Sequence, residues 1–195
     1  MNPNWHLGRP SEFAATPVVV LPTATSTYEF GRDRLAPALE PGDLIIASGP
    51  LGVGKTALIQ GIGAGLGVAE RVLSPTFVIA RVHRGGRIRL VHVDAYRLSS
   101  VREIDDLDLD AEVAESVTAV EWGQGLVEQL TEEHLLIELS LGDETAGSLH
   151  NRPFAGPESA GSLHNRLLDG DELRIATLTP YGAGWQARLP AIMEL

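Results

Sequence analysis

Four residues in the stretch "SGPLGVGKTALIQG" (48–61) have the types and spacing to hold a phosphate: Gly49, Gly54, Lys55 and Thr56, in the order G-x-x-x-x-G-K-[ST]. The glycines let backbone N–H groups curl around phosphate oxygens where a side chain would collide. Pro50, Leu51, Gly52 and Val53, which form the loop between them, and Ala57, which follows on the next element, are expected to bind the nucleotide with them, Gly52 adding freedom to the loop. Lys55 offers a compact, flexible ammonium to the outer phosphates, and Thr56 a hydroxyl to a magnesium ion. Lys55 is also the only lysine in the chain; the other 14 permanent cations are arginine. A planar guanidinium is wider and more rigid than an ammonium, so a chain that accepts arginine everywhere else marks this position as one arginine does not fit.

Nucleotide hydrolysis needs two further functions, a carboxylate to hold the metal and a group to orient the attacking water. Two acids stand at the ends of short apolar runs: Asp94 after "LVHV" and Glu121 after "TAV". From the residues alone either can take either task. His92, two positions before Asp94, shares its strand face.

The elements that must position these groups are readable around them. "LIIA" (44–47) predicts a strand buried on both faces, and "TALIQGIGAGLG" a helix with Leu58, Ile59, Ile62 and Leu66 on one side and Gly65 or Gly67 as its stop. "GRDRLAPALEPGD" predicts a short helix ending at Pro41 and Gly42. "TFVIARVHRGGRIRLVHVDAY" predicts a hairpin turning at Gly85 and Gly86, its second strand running from Arg87 to Val93. Ser100 and Glu103 are spaced as a capping box opening a helix into an acidic run, read as a solvated face with docking of a basic partner as the alternative. "VTAVEW" predicts another strand, and "HLLIELSL" and "ELRIATLTP" an antiparallel pair. "PVVVL" (17–21) is compatible with an edge strand or with part of a loose arm over residues 1–22. The rest, 23–195, is expected to be one domain with a surface insertion at 142–170, where "AGSLHNR" occurs twice.

At 195 residues, 44% hydrophobic and 21% charged, the chain is expected to fold as a globular protein. It has no run of about 18 apolar residues to span a bilayer, no basic region followed by a long apolar one at its start, and no cysteine. A cytoplasmic location is the expectation. The formal net charge of −11 repels a nucleic acid backbone, so work on nucleic acid would need basic partners.

Taken in order, "GPLGVGKT" (49–56), "SPTF" (74–77), "VHVDAYRL" (91–98) and "VEWGQ" (120–124) resemble the TsaE family, bacterial ATPases of tRNA threonylcarbamoyladenosine modification. The similarity covers Phe30 to Leu141, and the last three motifs carry most of its specificity. The resemblance implies an α/β P-loop sheet of mixed strand direction flanked by helices, and a slow magnesium-dependent ATPase working with TsaB and TsaD partners, which would bind the tRNA. It implies that Thr56 and Glu121 ligate magnesium and that Asp94 is needed for hydrolysis. It further implies that Ser74, Pro75, Thr76 and Phe77 form a switch-like loop and that Trp122 lies beside the nucleotide. The chain departs from the family in having Pro50 where an acidic residue is common and Ala95 where leucine is common. Arg152, Arg166 and Arg174 compete for a place near the nucleotide.

Two other readings stay open. One is a P-loop small-molecule or nucleotide kinase; the other is a nucleotide-gated binding module whose hydrolysis is incidental. Guanine recognition through N-K-x-D is excluded, because that motif needs a second lysine.

Overall fold

The computed structural model describes residues 16–75, 78–98, 100, 102–103, 113–142 and 172–194. Strand β2 (Leu44–Ser48) lies at the centre of a seven-stranded sheet. Its neighbours β5 (Ser116–Glu121) and β6 (His134–Leu141) are both parallel to it. Strand β4 (Arg89–Asp94) runs parallel on the far side of β5, and β3 (Ala80–His83) closes that edge antiparallel. On the other side β7 (Arg174–Tyr181) and β1 (Val18–Leu21) add two antiparallel strands, giving the order β1-β7-β6-β2-β5-β4-β3. This is the expected P-loop-type α/β sheet of mixed direction.

Alternation along β2 serves both faces. Ile45 and Ala47 join one core with the helices, while Leu44 and Ile46 join a second core with Val91, Val93 and Val120. A strand so placed exposes no face to water, which is why it reads as an unbroken apolar run. Helix α3 (Lys55–Leu66) follows the loop, buries the expected Leu58, Ile59, Ile62 and Leu66, and stops at Gly67 in the left-handed conformation. Burying each of those side chains contributes roughly 1.5–3 kcal/mol.

Gly65 is not a stop. It lies inside α3, where an added Cβ would stand 2.3 Å from the Arg32 carbonyl oxygen; at Gly61 one would stand 2.0 Å from that of Tyr28. These glycines let α3 press against a helical segment that begins earlier than "GRDRLAPALEPGD" suggests. It comprises α1 (Ala24–Glu29), a π-helical stretch Phe30–Leu35 and the short α2 (Ala36–Ala38). Thr23 caps it, its hydroxyl oxygen accepting the Ser26 N–H at 3.0 Å.

Three expectations need correction or extension. The 1–22 arm is not loose throughout, because Val18–Leu21 pairs with β7 and Leu21 is fully buried. The hairpin's second strand begins at Arg89, and Arg87 donates instead to the Ala36 and Leu39 carbonyls. A C-terminal helix, α4 (Ala183–Glu194), was not anticipated. It is pinned by Arg188, which forks onto Asp43 with two bonds of 2.7 Å, and by Glu133, which accepts the Gly184 N–H. The Glu103 carboxylate accepts the Ser100 N–H at 3.3 Å, one arm of the expected capping box. Most of the acidic run, both "AGSLHNR" copies and nearly all of the expected insertion lie outside the described residues.

Candidate active site

The phosphate-type loop leaves the end of β2 and enters α3. Gly49 has φ +131°, and a Cβ there would stand 2.1 Å from the Leu139 carbonyl oxygen, so neither the backbone angle nor the space admits another residue. Gly54, at φ +115°, caps α3 without a side-chain bond, leaving the first N–H groups of the helix directed into the loop. Val53 is buried under the loop, whereas Leu51 is 88% exposed at its tip.

Lys55 is 4% exposed. Its Nζ donates to the Gly49 and Pro50 carbonyls, both at 2.8 Å, and sits 3.6 Å from the centroid of the Trp122 ring. Burial pushes its pKa below the ordinary lysine range, with Glu121 and Asp94 opposing that shift. The ammonium thus folds back onto its own loop, poised among groups that a phosphate oxygen could replace.

Parallel pairing of β4 with β5 sets Asp94 directly beside Glu121, each at its strand's last position. The two differ in their partners. Glu121 takes the Thr56 hydroxyl at 2.8 and 3.0 Å and stands 2.9 Å from Nε2 of the fully buried His92. Asp94 accepts the Tyr96 N–H at 3.2 Å and opens the turn Ala95–Arg97. Leu51, Gly52, Gly54, Lys55, Thr56, Ser74, Asp94, Tyr96, Glu121 and Trp122 surround one cavity of about 380 Å³. Pro50 and Gly49 meet it through Lys55, while Ala57 faces a neighbouring groove on the outer side of α3.

Among the described residues, two non-glycine residues have positive φ, Ile79 at 67° and Trp122 at 61°; Trp122 lines the cavity and covers Lys55, and the Ile79 carbonyl accepts the N–H of Asp94, another residue of the lining. Such conformations cost of order 1–3 kcal/mol each and persist where surrounding structure over-determines them. The Pro75 carbonyl accepts from Val78 and Ile79, turning the chain back after Ser74. Thr76 and Phe77 lie outside the described residues.

Tyr96 was missed as a site residue, although it stands two positions after Asp94; its ring lies 5.3 Å from that of Trp122. Of the three competing arginines only Arg174 is among the described residues. Its Nε donates to the Val53 carbonyl at 2.9 Å, against the back of the loop. Among the described residues, no cluster of three or more His, Asp or Glu is arranged to hold a metal, and no helix is long and apolar enough to cross a membrane.

A glycine-rich loop between a central parallel strand and a helix, with carboxylates at the two next strand ends, defines a P-loop-type α/β protein. The crystal structure of Bacillus subtilis YdiB shares that fold, with a TM-score of 0.62 at 23% identity, covering 93% of this chain and 97% of that one. The family model "Threonylcarbamoyl adenosine biosynthesis protein TsaE" matches residues 21–149. The chain is 46% identical over 160 residues to the tRNA threonylcarbamoyladenosine biosynthesis protein TsaE of Streptomyces coelicolor, covering 80% of this chain and 92% of that protein. It is 44% identical over 128 residues to the Mycobacterium tuberculosis protein of the same name, covering 61% and 76%. The chain belongs to the TsaE family.

Proposed function

We propose that this protein binds and hydrolyses ATP, with magnesium, as a subunit of tRNA threonylcarbamoyladenosine biosynthesis, working in the cytoplasm with TsaB and TsaD family partners. The observation that carries the reading is the meeting of the Thr56 hydroxyl with the Glu121 carboxylate at the mouth of a glycine loop that already holds Lys55, in a chain of this family. Loop N–H groups and the Lys55 ammonium take the triphosphate and stabilise the charge that develops on the transferred phosphoryl group. Magnesium favours hard oxygen donors and keeps several waters. Thr56 and Glu121 are two such donors set on different elements beside the loop, so the residues fit the ion and would hold it. When bound, it would neutralise charge on the outer phosphates. Asp94, at the next strand end, orients the attacking water, whose oxygen bonds to the γ-phosphorus as the bond to the ADP oxygen breaks.

The net charge of −11 supports a division of labour in which partners carry the tRNA. Leu51 and Tyr96, large apolar side chains left exposed at the cavity rim, suit a nucleotide-dependent contact with a partner. The test is co-purification with TsaB and TsaD in ATP and in ADP, followed by a tRNA modification assay with wild type and Glu121→Ala. Loss of repeated modification cycles in the variant is expected. If Glu121→Ala still supports them, ATP occupancy alone suffices and the hydrolytic reading falls. Tight tRNA binding by the isolated protein at moderate salt would refute the division of labour.

A further inference from the structure

We propose that His92 is a positioning residue, holding the Glu121 carboxylate in the orientation in which it and Thr56 receive the metal. The inference rests on the magnesium assignment above and adds to it a residue with no part in that mechanism. His92 lies on β4 opposite Ala119 of β5, so its ring leans along the neighbouring strand to reach Glu121, two residues further on. It is fully buried, and its Nε2 stands 2.9 Å from Glu121 Oε1. A carboxylate oxygen only accepts, so Nε2 is the nitrogen that carries the proton and donates.

The same Oε1 takes the Thr56 hydroxyl at 2.8 Å. Thr56 belongs to α3 and His92 to β4, so two donors on different elements grip one carboxylate oxygen from two sides. A glutamate has three rotatable bonds and would otherwise sample several rotamers at a strand end. With Oε1 tied down by two donors, Oε2 takes the longer 3.0 Å contact with Thr56 and, among the described residues, is the oxygen more available to a cation. The imidazole does here for a carboxylate ligand what outer-shell hydrogen bonds do for metal ligands generally, where losing one typically lowers metal affinity 10–100-fold.

A buried histidine that merely fills the core would tolerate an isosteric apolar residue, and a donor at the distal position would be irrelevant to it. The test therefore pairs His92→Leu, which removes the donor, with His92→Gln, whose side-chain amide can present an N–H near the Nε2 position. Binding of ATP to the full chain is measured calorimetrically in Mg2+ and in EDTA, with melting temperatures recorded in parallel. The expected result is that His92→Leu binds ATP in EDTA as wild type does but loses about tenfold of the tightening that Mg2+ confers, and that His92→Gln recovers most of it. Undiminished tightening in His92→Leu overturns the proposal, as does a folded His92→Gln that is equally impaired. If wild-type affinity is indifferent to Mg2+, the metal assignment itself fails and this inference with it. Should His92→Leu not fold, long-range proton–nitrogen correlation on the 15N-labelled wild type decides: a ring protonated on Nε2 supports the assignment, and one protonated on Nδ1 alone overturns it.

Discussion

Replacing Lys55 by arginine keeps the charge and changes only its shape, so it isolates the reason the chain keeps one lysine. In the structure the ammonium has little space: carbonyl oxygens of Gly49 and Pro50 lie 2.8 Å away, the Trp122 ring centroid 3.6 Å away, and the side chain is nearly buried. A guanidinium must push the loop or the indole aside, and overpacking of this kind costs about 1–3 kcal/mol. A bound triphosphate holds the loop closed around the same narrow cradle, so a misfit of that size falls on binding: at 1.4 kcal/mol per factor of ten, roughly 5- to 150-fold weaker ATP affinity. Lys55→Met instead preserves the bulk and removes a charge-assisted bond worth about 1.5–3 kcal/mol, a loss of similar size with a different cause. Calorimetric titration with Mg2+-ATP, alongside steady-state phosphate release, measures both. Adenosine, which lacks phosphates, should bind the Met variant as it binds wild type. An arginine variant with wild-type affinity and turnover would refute the cradle argument, because it would show that charge alone is required.

Gly61→Ala should destabilise the fold by about 1–2 kcal/mol in urea denaturation: overpacking against the Tyr28 carbonyl exceeds the gain in helix propensity. A neutral result would mean that α1 yields without cost. Asp43→Ala, which removes the two-bond carboxylate partner of the half-buried Arg188 guanidinium and leaves it the Ala38 and Gly184 carbonyls, should cost about 2 kcal/mol and loosen α4. Increased amide exchange confined to residues 183–194 is its expected signature. His134, buried and stacked 4.3 Å from Tyr181, has its pKa pushed below the ordinary 6.5 by desolvation, with Glu128 partly opposing. The unfolded chain then binds its proton more readily than the native one, so this contribution to stability is fully present above about pH 6.5 and is lost as pH falls. The melting temperature of wild type should drop on going from about pH 7.5 to 5.5. His134→Phe should flatten that drop, and an unchanged slope would remove His134 as its source.

Much of the site was legible because its parts are local. A glycine pattern specifies a loop through backbone angles alone, and Gly49 and Gly54 adopt the positive φ such a loop needs. Strand ends follow from apolar runs, so Asp94 and Glu121 lie at strand ends as expected, and the antiparallel pairs β3–β4 and β6–β7 form as expected. Local pattern misled where a residue's role depends on a distant neighbour. Gly65 has the look of a helix stop, yet what requires it is the Arg32 backbone on another helix. Val18–Leu21 has too little patterning to be read as fixed, and it is β7, more than 150 positions along, that completes its hydrogen bonds. The helix Ala183–Glu194 contains Pro190 and begins with a glycine-rich run, so its propensity is poor; burial of Trp185, Leu189 and Ile192 and the Arg188–Asp43 pair hold it.

The sequence by itself determined that this chain has a phosphate-type loop on a buried strand, two candidate carboxylates and the motif order of one family, because each is written in spacing or in short-range backbone preference. Residue types and spacing left open which carboxylate meets Thr56; the family resemblance implied Glu121, and the physical reason lies in the tertiary structure. Asp94 and Glu121 are equivalent as strand-end acids, but β5 is the strand beside β2 and β4 is one strand further out. Strand order is set by packing of the whole sheet, and from it follow the Thr56–Glu121 contact and the place of His92 behind it.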